Sequence, residues 1–352
     1  MTRTGSCCDV SGRFGQPFVT GHVAANGTRV PAVSTKLSGR DIAGAWRVRW
    51  NIGRNRYAVA PGLYAAGAPT AESPVFVSAN YKLSFDRLRE ALAGTSGWIL
   101  VLDTKGVNVW CAAGKGTFGT RELEQRILSS GLERVVSHRT LIVPQLGASG
   151  VSGPHVREAT GFRVTFGPVR ARDIAAYLAA GQKKDDAMRR VRFRLSDRLI
   201  VSPVELVQSW PMLLGGIVLA LVLALPLDSG YLTRFASFAV ALVGAVVVGT
   251  IVFASLLPLL PFRAFALKGA VLGTLWGGVV SALFVPVSFA GGAAMTLVSA
   301  ALVSFTGMNF TGTSTFTCQP GAALEVKVGL VPQIAGGIVG VGLLAATRIA
   351  GF

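Results

Sequence analysis

The chain has 352 residues, of which 51% are hydrophobic and 14% charged, with a mean hydropathy of +0.53 and a formal net charge of +17. An average soluble domain carries roughly 25% charged residues, so these values exclude a disordered chain and argue against a fully soluble globule. Five cations and three anions fall from Val204 onward, which leaves +15 of the net charge on the first 203 residues. A basic soluble part precedes an apolar membrane part.

Residues 1–70 read as a basic, β-rich N-terminal extension. Its first ten residues lack the apolar run of a secretory signal, so the soluble part is expected in the reducing cytoplasm. The cysteines, Cys7, Cys8, Cys111 and Cys318, show no CxxC spacing, which argues against a disulfide framework and against an iron–sulfur or structural zinc site. Arg40, Arg47, Arg49, Arg54 and Arg56 interleave with Trp46, Trp50 and Tyr57. The alternation Trp46-Arg47-Val48-Arg49-Trp50 has the period of a half-buried strand. That reading is preferred over nucleic-acid binding. A basic face near the cytoplasmic leaflet also favours anionic membrane lipid.

Residues 71–182 alternate strands with helices. Val75 to Ser78 is a strand, and Ser84 caps a helix carrying Phe85, Leu88 and Leu92 that ends at Gly94. Residues 98–102 and 106–110 are strand candidates. Thr120 caps a helix with Leu123 and Ile127 buried, stopped by Gly131. Val135-Val136 and Leu141-Ile142-Val143 read as short strands, and residues 155–160, 162–166 and 170–180 complete the series. The order predicts an open α/β, Rossmann-like domain with ligands at the carboxyl ends of its strands. Residues 183–205 form a basic juxtamembrane linker. Residues 206–352 read as an all-α transmembrane bundle of five helices, near 210–225, 235–257, 267–285, 287–305 and 330–347. The third and fourth form a hairpin about Pro286. Arginines crowding 189–198 place the N-terminal domain in the cytoplasm and the C-terminus outside. No ionisable residue lies well inside a span, which argues against a coupled transporter. Gly273 with Gly277, and Gly336 with Gly340, are spaced for close helix approach. The polar segment 306–329, with Asn309 and Cys318, is expected to form a small site at the membrane surface.

The stretch from Asn108 to Thr120, NVWCAAGKGTFGT, lies between a strand and a helix, where this architecture builds sites. A P-loop needs Gly at 109 and Ser or Thr at 116, and both fail. Gly114, Gly116 and Gly119 fit the dinucleotide spacing, with Glu133 as a ribose acid, but Cys111-Ala112-Ala113 intervenes after the strand. A nicotinamide-dependent oxidoreductase is therefore the minor alternative, beside a membrane channel or carrier for metal. Cys111 sits where a helical turn begins, and free amides with nearby Lys115 favour a thiolate there. Ala112, Ala113 and Gly114 leave room for a large flat ligand. The competing structural reading is a cysteine packed as a small hydrophobe.

The segment Asn108–Lys115 resembles the cap-helix signature of the corrinoid protein of the two-component microbial mercury-methylation system. The resemblance extends through Pro61-Gly62-Leu63-Tyr64, Ala79-Asn80-Tyr81-Lys82-Leu83, Leu102-Asp103-Thr104-Lys105-Gly106, Ser137-His138-Arg139 and Pro144-Gln145-Leu146-Gly147. Parts of the soluble half also resemble the corrinoid domain of the corrinoid iron–sulfur protein of acetyl-CoA synthesis, whose iron–sulfur motif is absent here. The first resemblance implies a cobalamin-type corrinoid, base-off, with Cys111 as the cobalt ligand. It places Asn108, Val109, Trp110, Ala112, Ala113, Gly114 and Lys115 in the supporting cap. It also assigns cofactor contacts to Ser78, Asn80, His138, Pro144, Gln145, Leu146 and Gly147. The implied activity is methyl transfer from the thiolate-ligated cofactor to Hg(II), giving methylmercury, or a corrinoid methyl carrier for another acceptor. The implied partners are a ferredoxin-like iron–sulfur protein and a methyltransferase using methyltetrahydrofolate, with no nucleic acid.

Overall fold

The runs Val75–Ala79 and Gly97–Leu102 are buried at every position, as strands covered on both faces of a parallel sheet must be. They form the centre of a seven-stranded mixed sheet in a computed structural model that describes residues 10–284, 289–312, 314, 316–317 and 319–349. The strands are β1 (Val19–Ala25), β2 (Thr28–Val33), β3 (Gly62–Ala66), β4 (Val75–Ala79), β5 (Gly97–Leu102), β6 (Thr140–Val143) and β7 (Arg163–Phe166), in the order β1-β2-β3-β5-β4-β6-β7. β5, β4, β6 and β7 are mutually parallel, β3 runs antiparallel to β5, and β1 and β2 form an antiparallel hairpin. The helices of this unit are α1 (Gly39–Arg49), α2 (Lys82–Ala91), α3 (Val109–Lys115), α4 (Thr120–Ser130), α5 (Gly153–Thr160) and α6 (Ile174–Ala179). The α/β expectation therefore holds. The chain divides into two compact units near Arg192, with Arg49–Asn51 grouped with the second.

Alternation within the buried strands assigns each face its own core. Val75, Val77, Leu100 and Leu102 pack with Leu123 and Ile127 of α4 on one face. Phe76, Ile99, Val101 and Tyr64 pack with Phe85, Leu88 and Leu92 on the other. Several local assignments change. Ser84 lies in the first turn of α2, whose N-cap is Tyr81, and Thr120 is the first residue of α4 after the N-cap Gly119. Residues 46–50 belong to helix α1 and its C-terminal end, not to a strand. Ser38 and Asp41 cap that helix reciprocally: the Ser38 amide donates to the Asp41 carboxylate at 2.8 Å, and the Asp41 amide donates to the Ser38 hydroxyl at 3.3 Å. This capping box overrides the two-residue alternation. Residues 106–110 form a turn entering α3, and Leu132–Val135 is a helical turn.

Asp41 anchors a buried ionic cluster. Lys82 donates to Asp41 and, at 2.6 Å, to Asp86; Arg89, fully buried, pairs with Asp41 at 2.9 Å and Asp86 at 2.8 Å. Arg89 also donates to the Ser34 and Lys36 carbonyls, so the cluster ties α1 and α2 to the segment after β2. Burial alone pushes the Asp41 carboxyl up, but hydrogen bonds from Lys82, Ser38 and Arg89 outweigh it and hold it well below the usual carboxylate range.

In the second unit, α7 (Trp210–Leu223) precedes α8 (Tyr231–Val247), α9 (Phe265–Phe284), α10 (Phe289–Met308) and α11 (Gln319–Ile349). Four helical stretches are long and apolar enough to cross a membrane, Tyr231–Leu256, Phe265–Leu283, Phe289–Gly312 and Pro320–Thr347. Residues Leu195–Gln208 and α7 make a fifth only if this pair, bent by 50°, counts as one span. The expected turn at Pro286 lies outside the described residues. Residues 319–329 are helical, so much of the expected polar surface segment is the start of α11, and Glu325 and Lys327 lie inside that long helix rather than before it. Glu325 accepts from the Ala266 amide at 2.6 Å, which satisfies one of the unpaired N–H groups at the start of α9. Gly273 and Gly277 do bring α9 onto α10: a Cβ at Gly273 would stand 2.6 Å from the Ala300 Cα, and one at Gly277 2.5 Å from the Thr296 Cα.

The depressed Asp41 fixes the sign of a pH effect. Its stabilising contribution is complete above the ordinary aspartate value, about 3.9, and drains away as pH falls below it. Asp41→Asn, which leaves Arg89 short of a buried partner, should cost about 3–5 kcal/mol at neutral pH and flatten the acid limb of the stability profile below about pH 4. Denaturant titrations of both proteins across that range check it.

Candidate functional site at the carboxyl edge of the sheet

β4 and β5 are parallel neighbours whose following helices lie on opposite faces of the sheet. The chain leaving each strand therefore turns away from the other and opens a crevice at their carboxyl ends, the usual place for a ligand in open α/β sheets. Asn80, buried immediately after β4, spans that crevice. Its Oδ1 accepts from the amides of Thr104 at 3.1 Å and Gly106 at 2.9 Å, with the Thr104 hydroxyl at 2.8 Å. Its Nδ2 donates to Asp103 at 3.3 Å. Burial pushes the Asp103 carboxyl up, but hydrogen bonds from the Lys105 side chain and amide outweigh it and hold it below its ordinary value. One side chain thus fixes the turn that delivers α3.

α3 begins at Asn108, whose Oδ1 accepts from the Cys111 amide at 3.0 Å and whose Nδ2 donates to Cys111 Sγ at 3.4 Å. Val109, Ala112 and Ala113, at i, i+3 and i+4, are buried. Trp110 and Cys111 are half-buried, while Gly114 and Lys115 are exposed. The helix stops at Gly116 in the left-handed region, φ 79°. Beneath it, Phe118 is fully buried, and a Cβ on Gly150 would overlap the Phe118 carbonyl oxygen and stand 3.1 Å from the Ala113 Cα. Thr120 receives the Ser152 amide at 2.8 Å and donates its own amide to the Gly150 carbonyl at 3.1 Å. The loop after β6 is therefore clamped against α3, and the small side chains at 112, 113 and 150 make that approach sterically feasible.

This arrangement gathers Asn80, Asn108, Val109, Trp110, Cys111, Ala112, Ala113, Gly114, Lys115 and the turn Pro144, Gln145, Leu146, Gly147 at one edge. Gln145 receives the Lys184 ammonium, and Gly147 is buried. Ser78 is buried in β4, its hydroxyl donating to the Ala79 carbonyl at 3.2 Å. His138 stands apart. It precedes β6, its Nε2 is 2.9 Å from the Ser73 carbonyl just before β4, and its Nδ1 accepts from the Thr140 amide. Both neighbours lie at the amino ends of parallel strands, the edge opposite Cys111. Thr104, Phe118 and Gly150 fell within segments the sequence marked, but no role was assigned to them individually. Their only local signals were a turn threonine, an isolated aromatic and a glycine in a Gly/Ser-rich loop.

The glycines do not follow β5, which ends at Leu102: Gly114 lies in the last turn of α3, Gly116 caps it and Gly119 precedes α4. They close one helix and open the next, so the dinucleotide reading falls. Among the described residues no group of three or more His, Cys, Asp or Glu is placed to hold a metal ion.

The family described as CO dehydrogenase/acetyl-CoA synthase delta subunit matches residues 51–178. Relatives named acetyl-CoA decarbonylase/synthase complex subunit gamma are similar over much the same length. The Archaeoglobus fulgidus protein is 32% identical over 136 residues, 37% of this chain and 28% of the relative. That of Methanopyrus kandleri is 34% identical over 122 residues, 34% and 26% of the two chains. That of Methanocaldococcus jannaschii is 30% identical over 127 residues, 36% and 26%. The chain spans about a quarter of the length of these relatives. They are named for acetyl-CoA chemistry and not for mercury, which corrects the expected membership of the mercury-methylation system and, with it, the Hg(II) substrate and methylmercury product. Nor are they named as nicotinamide oxidoreductases or as carriers to some other acceptor.

Two substitutions probe the clamp. Gly150→Ala forces α3 and the loop apart and should cost about 1–3 kcal/mol. Asn108→Ala removes the cap and should cost about 1 kcal/mol. Thermal unfolding of the detergent-solubilised protein checks both, and equal melting temperatures for wild type and Gly150→Ala would contradict the close packing.

Proposed function

We propose that the α/β unit binds a cobalamin-type corrinoid, base-off, at the carboxyl edge of its sheet, where Cys111 would be the protein's donor to the cobalt. In this reading the chain serves methyl transfer as a membrane-tethered counterpart of an acetyl-CoA decarbonylase/synthase corrinoid subunit. The observation that carries the proposal is the half-exposed Cys111 sulfur on a capped helix, with Asn108 holding both its amide and its Sγ. The matched segment, residues 51–178, contains this whole edge, and pieces of the same half of the chain resemble the corrinoid domain of acetyl-CoA synthesis.

The donor set suits the group. A soft sulfur matches a late first-row metal carried in a macrocycle, and the small residues after Cys111 leave its approach open. When bound, the corrinoid supplies a cobalt centre able to accept and release a methyl group. The chain's part is to hold the ring. Cys111 would donate to the metal, Asn108 sets the sulfur's orientation, Ala112 and Ala113 seat the cap helix on the core, and Trp110, Gly114 and Lys115 shape the surface beneath the ring. The backbone of the turn from Pro144 to Gly147 offers donors for the polar tail. Ser78 and Asn80 fix the strand ends around it. Protein partners complete the reaction: a methyl-donating methyltransferase and an iron–sulfur reductant that returns the metal to its low-valent state. The soluble unit is proposed to face the cytoplasm, with the C-terminus outside if the bent pair and the four long helices all cross.

Anaerobic reconstitution with cobinamide, which carries no base of its own, tests the assignment. Wild type should retain the corrinoid on gel filtration with a sulfur-ligated visible spectrum. Cys111→Thr should retain it with a shifted spectrum. No uptake by wild type would sink the binding site, and an unchanged spectrum in Cys111→Thr would sink the ligand. For topology, a C-terminal reporter active only outside the cytoplasm should score positive; a cytoplasmic signal would sink either the orientation or the count of five.

A further inference from the structure

Helix α1 turns an apolar face away from the protein that carries it. Its inner face is Asp41, Gly44 and Val48: Asp41 and Val48 are buried, and a Cβ on Gly44 would stand 2.5 Å from the Tyr57 hydroxyl. The opposite face carries Ile42 and Trp46, followed by Trp50 and Ile52, with exposures of 52%, 59%, 40% and 53%. Ile42 and Trp46 are spaced i, i+4 and so share one side of a helix with 3.6 residues per turn, and Trp50 stands in the turn just past its end. Arg40 and Arg47 border that side and are exposed. Single exposed hydrophobics need no explanation, whereas a contiguous apolar patch with a polar rim marks an interaction surface.

We propose that the outer face of α1 lies in the headgroup region of an anionic lipid bilayer, docking the α/β unit on the membrane surface. Three observations select lipid as the occupant. Tryptophan is the side chain enriched at membrane–water interfaces. Arginines beside an apolar stripe are the pattern of a helix lying in the plane of the bilayer, and they complement anionic headgroups. The same chain also carries four helices long and apolar enough to cross a membrane. The capping box at Ser38 and the pairs from Lys82 and Arg89 to Asp41 hold α1 folded in advance. The surface is therefore presented rather than assembled on contact.

The test uses the full chain in nanodiscs of phosphatidylcholine, with or without phosphatidylglycerol, each made with ordinary or 6,7-dibrominated acyl chains. The difference in emission between wild type and Trp46→Phe isolates Trp46 from the other tryptophans. In the docked state this component is quenched by brominated lipid, and more strongly when phosphatidylglycerol is present. Arg40→Gln with Arg47→Gln removes the dependence on phosphatidylglycerol, and Ile42→Trp in the Trp46→Phe background restores the quenched signal from the neighbouring turn. A Trp46 component insensitive to brominated lipid in both compositions overturns the proposal. So does a component that shifts with protein concentration in detergent and not with lipid, which would make this face a contact between copies of the chain.

Discussion

Everything at the candidate site depends on how two parallel strands end. β4 and β5 pair side by side, yet the helices that follow them must cover opposite faces, so their exit turns separate. Separated turns leave backbone amides facing nothing, and a buried amide without a partner costs about 1–3 kcal/mol. Asn80 resolves that conflict by accepting from Thr104 and Gly106 and donating to Asp103. The turn it fixes sets the start of α3, and the start of α3 sets where Cys111 faces. Removing the Asn80 amide would loosen a position three links away.

The same logic explains why the site is built from small residues. α3 has only two turns and cannot hold itself; helices this short are marginal without tertiary support. Its inward face is therefore pressed onto Phe118 and the loop at Gly150, at distances that admit no larger side chain at 113 or 150. Close packing beneath leaves the outward face, Trp110, Cys111 and Gly114, unencumbered. Rigidity under the sulfur and openness above it have one cause.

In the second unit, four of whose helices are long and apolar enough to cross a membrane, packing likewise turns on glycines. Lipid tails give no hydrophobic drive for helix association, so contact area has to come from close approach. Gly273 and Gly277 on α9 supply it against Ala300 and Thr296 of α10. The α/β unit relies on burial on both faces of a sheet, together with an ionic cluster at Asp41 whose desolvation is repaid by several partners.

Much of this was legible in the residues themselves. Apolar runs bounded by Gly and Pro marked β4, β5 and β6, because a strand buried on both faces has no polar side to show. The 3.6-residue spacing of Phe85, Leu88 and Leu92 marked α2, and NVWCAAGK stood out as strand-exit chemistry whichever family it belonged to. What failed locally failed for identifiable reasons. Trp46 to Trp50 alternates like a strand, but the capping pair at Ser38 and Asp41, and the burial of Asp41 by Lys82 and Arg89 from α2, make it a helix. The glycines at 114, 116 and 119 matched a cofactor pattern, and only the extent of α3 showed that they sit at the end of one helix and the start of the next. His138 and Cys111 are close in sequence-motif terms and lie at opposite edges of the sheet, since strand direction is a property of the assembled sheet and not of any segment. The sequence by itself determined the elements, the basic soluble part and the apolar spans. Tertiary structure alone decided which edge holds the thiol, which residue fixes it and which face of α1 is left uncovered, because each depends on pairings between segments that sequence keeps far apart.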